Sequence, residues 1–157
     1  MGKQFDIIEL LRVAVADEQS GIELYMKLSD KTENAVLKEM FVKLSEMEEV
    51  HREMFEDMSK FLEGEESTGV YPDEYVDYLE TLSAEGGSSN AYSRIGECKT
   101  DTDLLDLAMQ FERDQLALQK DMADLLGDKH EKVIEQVIRE ERDHLVQLAR
   151  AKKAIGT

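Results

Sequence analysis

The sequence predicts an all-α protein, an antiparallel four-helix bundle with a long helix-containing connection between its second and third helices. Three observations lead there. Four long segments place apolar residues at alternating steps of three and four, the period of a helix with one buried face. One proline and nine glycines in 157 residues leave those segments almost uninterrupted. Strand signals are absent, because β-branched residues are sparse and no alternating run persists.

The first helix is expected over about 5–30. Thr32 reads as the N-cap of the second, over about 33–63, with Gly64 just past its end. The third is expected over about 101–126, starting after Thr100 or Asp101 and ending before Gly127. Asp128 with Glu131 reads as a capping box for the fourth, over about 129–155. In the connector, about 65–99, Tyr71-Pro72 reads as a helix start with Pro72 at the first helical position. Tyr75, Tyr78, Leu79 and Leu82 form a short amphipathic stripe there. Gly86-Gly87-Ser88-Ser89 breaks it, and a second short helix is expected up to Cys98. So long a connection suits a bundle with a crossover. The whole span 1–157 reads as a single domain.

Composition narrows the function. The chain has 36 Asp and Glu against 19 Lys and Arg, a formal net charge of −17. Such acidity argues against nucleic-acid binding, which needs clustered cations. Cys98 is the only cysteine, so no intrachain disulfide and no Cys-x-x-Cys metal motif can form. No stretch approaches the ~20 apolar residues of a membrane span, and no apolar run at the N-terminus reads as a signal peptide. A cytoplasmic location is expected.

The inward faces are not wholly apolar. The first helix presents Ile8, Leu11, Val15, Glu18, Ile22 and Tyr25. The second presents Leu37, Phe41, Leu44, Glu48, His51, Phe55, Met58 and Leu62. The third presents Leu105, Ala108, Glu112, Gln115, Gln119, Met122 and Leu126. The fourth presents Ile134, Val137, Glu141, His144, Leu148, Ala151 and Ile155. Each stripe is apolar at its ends and polar at its middle. Glu18 and Glu48 lie 14 and 16 residues from Thr32, and Glu112 and Glu141 lie 16 and 13 residues from Asp128. At about 1.5 Å per residue, all four stand about 20–24 Å from their turns. The chain therefore reads as two similar helical hairpins enclosing a polar band.

Buried, unpartnered carboxylates each cost several kcal/mol, so something must neutralise them. Two of the three histidines follow a glutamate by three residues, in Glu48-x-x-His51 and Glu141-x-x-His144. Residues at i and i+3 share a helix face and can converge on one ion. One Glu from each of two helices, plus Glu-x-x-His from each of the other two, is a dinuclear carboxylate donor set. Four carboxylates balance two divalent cations. Oxygen-rich ligation with some nitrogen suits Fe or Mn, with Zn as a possible substitute.

These residues resemble the ferritin-like superfamily, and most closely rubrerythrin-like proteins, over nearly the whole chain. The run Asp17-Glu18-Gln19-Ser20-Gly21-Ile22-Glu23-Leu24-Tyr25 is similar to the family's first-helix motif. Glu74-Tyr75-Val76-Asp77-Tyr78-Leu79 in the connector is similar to the same family rather than to ferritin proper. The resemblance implies two Fe ions, bridged by Glu48 and Glu141. Glu18 and Glu112 would be terminal ligands, with His51 and His144 supplying nitrogen. Two departures stand out. Gln115 occupies a position where typical rubrerythrins carry a further glutamate that takes part in a redox-linked iron shift, which puts that shift in doubt. The four cysteines of a rubredoxin domain are missing, so electrons would come from an external rubredoxin-like donor. No haem is expected, because Glu49 stands where bacterioferritin has its haem-ligand methionine.

The leading expectation is a non-haem di-iron oxidoreductase that reduces peroxide or dioxygen, in keeping with a role in oxidative stress. Iron storage or ferroxidase activity, and a non-catalytic metal-stabilised bundle, are the alternatives. A homodimer is expected. Tyr25 is a candidate to hydrogen-bond a ligand carboxylate or supply an electron, with core packing as the alternative, and Gln115 is a candidate amide beside the ligands, with a neutral filler as the alternative. Cys98 reads as a packing residue and His130 as solvated.

Overall fold

A computed structural model describes residues 2–62, 68–85, 90–126 and 130–156. Four long helices make the bundle: α1 (Ile7–Lys31), α2 (Ala35–Leu62), α4 (Asp101–Leu126) and α5 (Glu131–Ile155). Helix α1 packs along α2, α4 along α5, and α1 against α4, while α2 and α5 touch more lightly. The crossover between α2 and α4 contains α3 (Asp73–Glu85) and a 3-10 helix (Tyr92–Glu97). It returns the chain to the end where α1 meets α2, and there Thr32 Oγ1 donates to Asp101 Oδ1 at 2.7 Å.

The caps differ in part from the sequence expectation. Thr32 is the C-cap of α1, its N–H bonding to Leu28 O. Its hydroxyl accepts from the Asn34 N–H, and Asn34 Oδ1 accepts from the N–H groups of Val36 and Leu37. Asn34 therefore caps α2 in place of Thr32. Helix α4 opens on a reciprocal box: Thr100 Oγ1 accepts from Asp103 N–H, and Asp103 Oδ2 accepts from Thr100 N–H. Gly64, the Gly86–Ser89 run and the Asp128 cap lie outside the described residues. Pro72 ends a strand and precedes α3 by one residue, rather than opening the helix.

Two short strands correct the strand-free expectation. β1 (Gly2–Asp6) pairs antiparallel with β2 (Thr68–Pro72), in register from Gly2↔Pro72 to Asp6↔Thr68. The ribbon ties the start of the chain to the crossover. Asp6 then caps α1, its Oδ1 accepting from Ile8 N–H at 2.9 Å. The fold remains an all-α bundle with a helix-containing crossover.

The core is split in two. One apolar cluster includes Leu10, Leu11, Phe55, Met58, Leu79, Met122, Ile134 and Val137. The other includes Leu24, Leu28, Leu37, Phe41, Leu105, Phe111 and Leu148. Between them lies a buried polar layer of Asp17, Glu18, Glu48, His51, Glu112, Gln115, Gln119, Glu141 and His144. The expected stripe of α2 is buried throughout. In α1 only Leu11, Glu18 and Tyr25 of the expected stripe are buried, and the inward face also takes in Leu10, Ala14, Gly21 and Leu28. In the crossover, Val76 and Leu79 face the core and Tyr78 is exposed. His130 is buried, with its ring edge-on to Phe61, and not solvated as expected. Cys98 packs in the second cluster, and burial raises its thiol pKa.

No helix among the described residues is long and apolar enough to cross a membrane.

Candidate metal centre

All six expected ligands meet in the polar layer. Glu18, Glu48, His51 and Glu141 form one group, and Glu48, Glu112, Glu141 and His144 form a second. Within each group the ligand-type atoms all lie within 4.8 Å of one another. Glu48 and Glu141 belong to both groups, as the bridging pair of a dinuclear site must. Each hairpin contributes one Glu shared by both groups, with its His, and one outer Glu that belongs to a single group.

Both imidazoles turn Nδ1 inward. His51 Nδ1 lies 2.7 Å from Glu141 Oε1 and 3.9 Å from Glu18 Oε2. His144 Nδ1 lies 3.3 Å from Glu141 Oε2, 3.5 Å from Glu112 Oε1 and 3.7 Å from Glu48 Oε1. The rings stack at 5.9 Å between centroids. Several of these buried atoms have no hydrogen-bond partner: Glu48 Oε1, Glu112 Oε2, Glu141 Oε2 and His144 Nδ1. Buried orphans are costly, and four of them converging from ligand-type groups fit a cation. The donor chemistry fits as well, with oxygen-rich coordination and one nitrogen per group.

A sequence profile of the rubrerythrin family matches residues 9–152. The chain belongs to the rubrerythrin family. Its fold is similar to that of a proposed ferritin-like diiron-carboxylate protein from Thermotoga maritima, with a TM-score of 0.72 and 23% identity over 96% of each chain. No curated protein matches the chain.

Around the ligands, this rubrerythrin-family bundle supplies neutral donors. Gln115 Nε2 donates to Glu48 Oε2 at 3.0 Å and to Glu18 Oε2 at 3.3 Å. Gln119 Nε2 donates to Glu18 Oε1 at 3.2 Å. Tyr25 Oη donates to Glu112 Oε1, and its ring packs edge-on to Phe111. Tyr25 and Gln115 therefore both touch carboxylates of the six-residue cluster. Tyr25 reaches across to the outer Glu of α4 rather than to Glu18 on its own helix.

Without cations the carboxylates suppress one another's ionisation. Burial, then the charge of Glu48, pushes Glu18 well above the usual carboxyl range. Burial, then the charge of Glu141, does the same to Glu112. Glu141 is raised to about 7 by burial and by the charge of Glu48. Burial also pushes Glu48 up, but the facing Glu18 carboxyl and the two imidazoles outweigh it and bring Glu48 to about 2. Burial alone would lower His144; the carboxylates of Glu112, Glu141 and Glu48 outweigh it and raise His144 to about 12. Burial, then Glu112, keeps the Tyr25 phenol protonated well above its usual range.

Sequence reasoning missed three contributors. Gln119 lay on the α4 stripe, seven residues from Glu112, but an amide there carries no motif. Glu140 precedes a ligand on α5, and its Oε2 lies 2.6 Å from His51 Nε2. At Gly21, a Cβ would stand 2.9 Å from the Phe111 ring and 3.1 Å from Glu48 Oε2. Its spacing from Glu18 was the one available signal.

Proposed function

We propose that this rubrerythrin-family chain binds two iron ions in the polar layer and reduces hydrogen peroxide with electrons from an external donor protein. The observation that carries the reading is the pair of four-residue groups sharing Glu48 and Glu141. Bound iron would supply the two electrons that, with two protons, convert peroxide to two waters. Glu48 and Glu141 would bridge the ions, Glu18 and Glu112 would close the outer sides, and His51 and His144 would add one nitrogen each. Mn or Zn can substitute in such a donor set.

The protein's own contribution is positioning. Gln115 orients Glu18 and Glu48 through one amide, and Tyr25 holds Glu112 by its hydroxyl. The apolar clusters above and below keep bulk water from the layer. With a neutral amide at Gln115, the third helix has no extra carboxylate at that position to exchange with a ligand. Peroxide or dioxygen is the oxidant in this reading, a cytoplasmic homodimer is the working form, and no haem, nucleic acid or membrane takes part.

Stopped-flow mixing of anaerobic Fe(II)-loaded protein tests the reaction. Oxidation much faster with peroxide than with dioxygen is expected. The reverse order would move the assignment to a ferroxidase. A sizing measurement adds a second arm: a dimer supports catalytic turnover, whereas a 24-subunit shell would support iron storage.

A further inference from the structure

We infer that Glu140 is a positioning residue of the metal centre. Its carboxylate accepts a hydrogen bond from His51 Nε2–H and leaves the Nδ1 lone pair free for the ion on the Glu18 side. The inference rests on the metal-centre reading above and assigns a role to a residue outside the six ligands. Glu140 Oε2 lies 2.6 Å from His51 Nε2. The other oxygen, Oε1, accepts from the Gln136 amide one turn earlier, at 3.4 Å. Glu140 is thus held between its own helix and α2, on the more lightly packed side of the bundle, with 29% of its side chain exposed.

A ligand imidazole must be neutral, with its proton on the nitrogen that does not face the ion. His51 is fully buried and turns Nδ1 towards Glu18 and Glu141. The proton therefore belongs on Nε2, where Glu140 is the acceptor. A carboxylate there fixes the tautomer, stops the ring from turning over, and makes Nδ1 a stronger donor. The two halves of the centre differ here. Every contact of His144 with a carboxylate among the described residues is made through Nδ1. Helix α2 has Met47 before its bridging glutamate, where α5 has Glu140 before Glu141. The pseudo-symmetric hairpins therefore hold two inequivalent positions, and the one at His51 is the more firmly built.

Anaerobic titration of the chelator-treated full chain with Co(II), followed by its visible absorption bands, tests this. Wild-type protein should bind two ions per chain. Glu140→Ala should lose about 10–100-fold in affinity for one of them, the size of loss usual for such a partner, and keep the other. Glu140→Gln, which still offers an oxygen to Nε2–H, should recover part of that loss. Two unchanged sites in both variants would overturn the assignment while leaving the metal centre standing. An equal loss at both sites would mean that Glu140 acts on the bundle as a whole, and would also overturn it. No Co(II) binding to wild-type protein would remove the metal centre and this inference together.

Discussion

At the level of single residues, the carboxylates of the polar layer are arranged for a cation and against the empty state. Glu112 shows the conflict. Its folded pKa is raised by burial and by Glu141, so the folded apo protein holds a proton that the unfolded chain releases near pH 4.5. Stability from such a group is fully present below that pH and is lost as pH rises towards the folded value. Glu18 and Glu141 act in the same direction, Glu141 over the window from about 4.5 to about 7. Glu48, brought to about 2, is ionised in the folded state throughout that window and opposes the slope only close to its unfolded value of 4.5. The chelated protein should therefore melt at progressively lower temperature from pH 5 to pH 7. Glu112→Gln imitates the protonated carboxyl and can still accept from Tyr25. It should flatten that slope and stabilise the apo protein at pH 7 by about 1.4 kcal/mol per tenfold change in proton affinity, which raises its melting temperature, while weakening metal binding. An unchanged pH profile in this variant would mean that Glu112 is ionised in the folded apo protein. The clustering of Glu18, Glu48, His51, Glu112, Glu141 and His144 was legible in the sequence because repeated Glu-x-x-His spacing and equal distances from the turns are local features. Glu140 was not: on a helix with many charged residues, nothing local says which carboxylate meets a histidine 89 positions away.

At the level of elements, the stripe of α2 was fully readable and that of α1 was not. Helix α1 packs against α2, α4 and α3 at once, so its buried arc is wider than one seam of three-and-four steps can trace. Polar or small residues such as Asp17, Gly21 and Ser29 lie inside that arc. The β1–β2 ribbon escaped for another reason. It pairs two five-residue strands from opposite ends of the first half of the chain, and a two-stranded ribbon gains its stability from context rather than from its own pattern. Gly21 makes the close approach of α1 to the centre possible, since its missing side chain leaves room for the Phe111 ring and Glu48 Oε2. Gly21→Ala gains up to ~1 kcal/mol of helix propensity, against an overpacking cost of about 1–3 kcal/mol. Because Phe111 is buried in the second core cluster and has little room to yield, the cost should win. A drop of several degrees in melting temperature is expected, at about 2–4 °C per kcal/mol for a chain this size, together with weaker Co(II) binding as Glu48 is pushed aside. A more stable variant with intact binding would show that the ring moves freely.

At the level of the whole molecule, the net charge of −17 conceals two populations of carboxylates. Most lie on solvated faces. Five, Asp17 and four glutamates, are enclosed between two apolar clusters, where each chain hairpin delivers half of a site that neither hairpin completes alone. Two divalent ions would cut the formal charge to about −13 by simple counting, and would do so where repulsion is least screened. The ions would also tie α1 and α2 to α4 and α5 across the lightly packed side of the bundle. Binding confined to the folded state stabilises it by about 2.7 kcal/mol per site when free metal is 100-fold above Kd. With both sites filled, the melting temperature of the Fe(II)-loaded protein under anaerobic conditions should exceed that of the chelated protein by about 10–20 °C, on the same scale of 2–4 °C per kcal/mol. Glu48→Ala removes a bridging carboxylate from both positions at once, so it should abolish most of that difference, whereas a change at an outer ligand such as Glu18 should abolish about half. If chelation leaves the melting temperature of the wild-type protein unchanged, the four glutamates do not serve as ligands, and their burial would need another explanation.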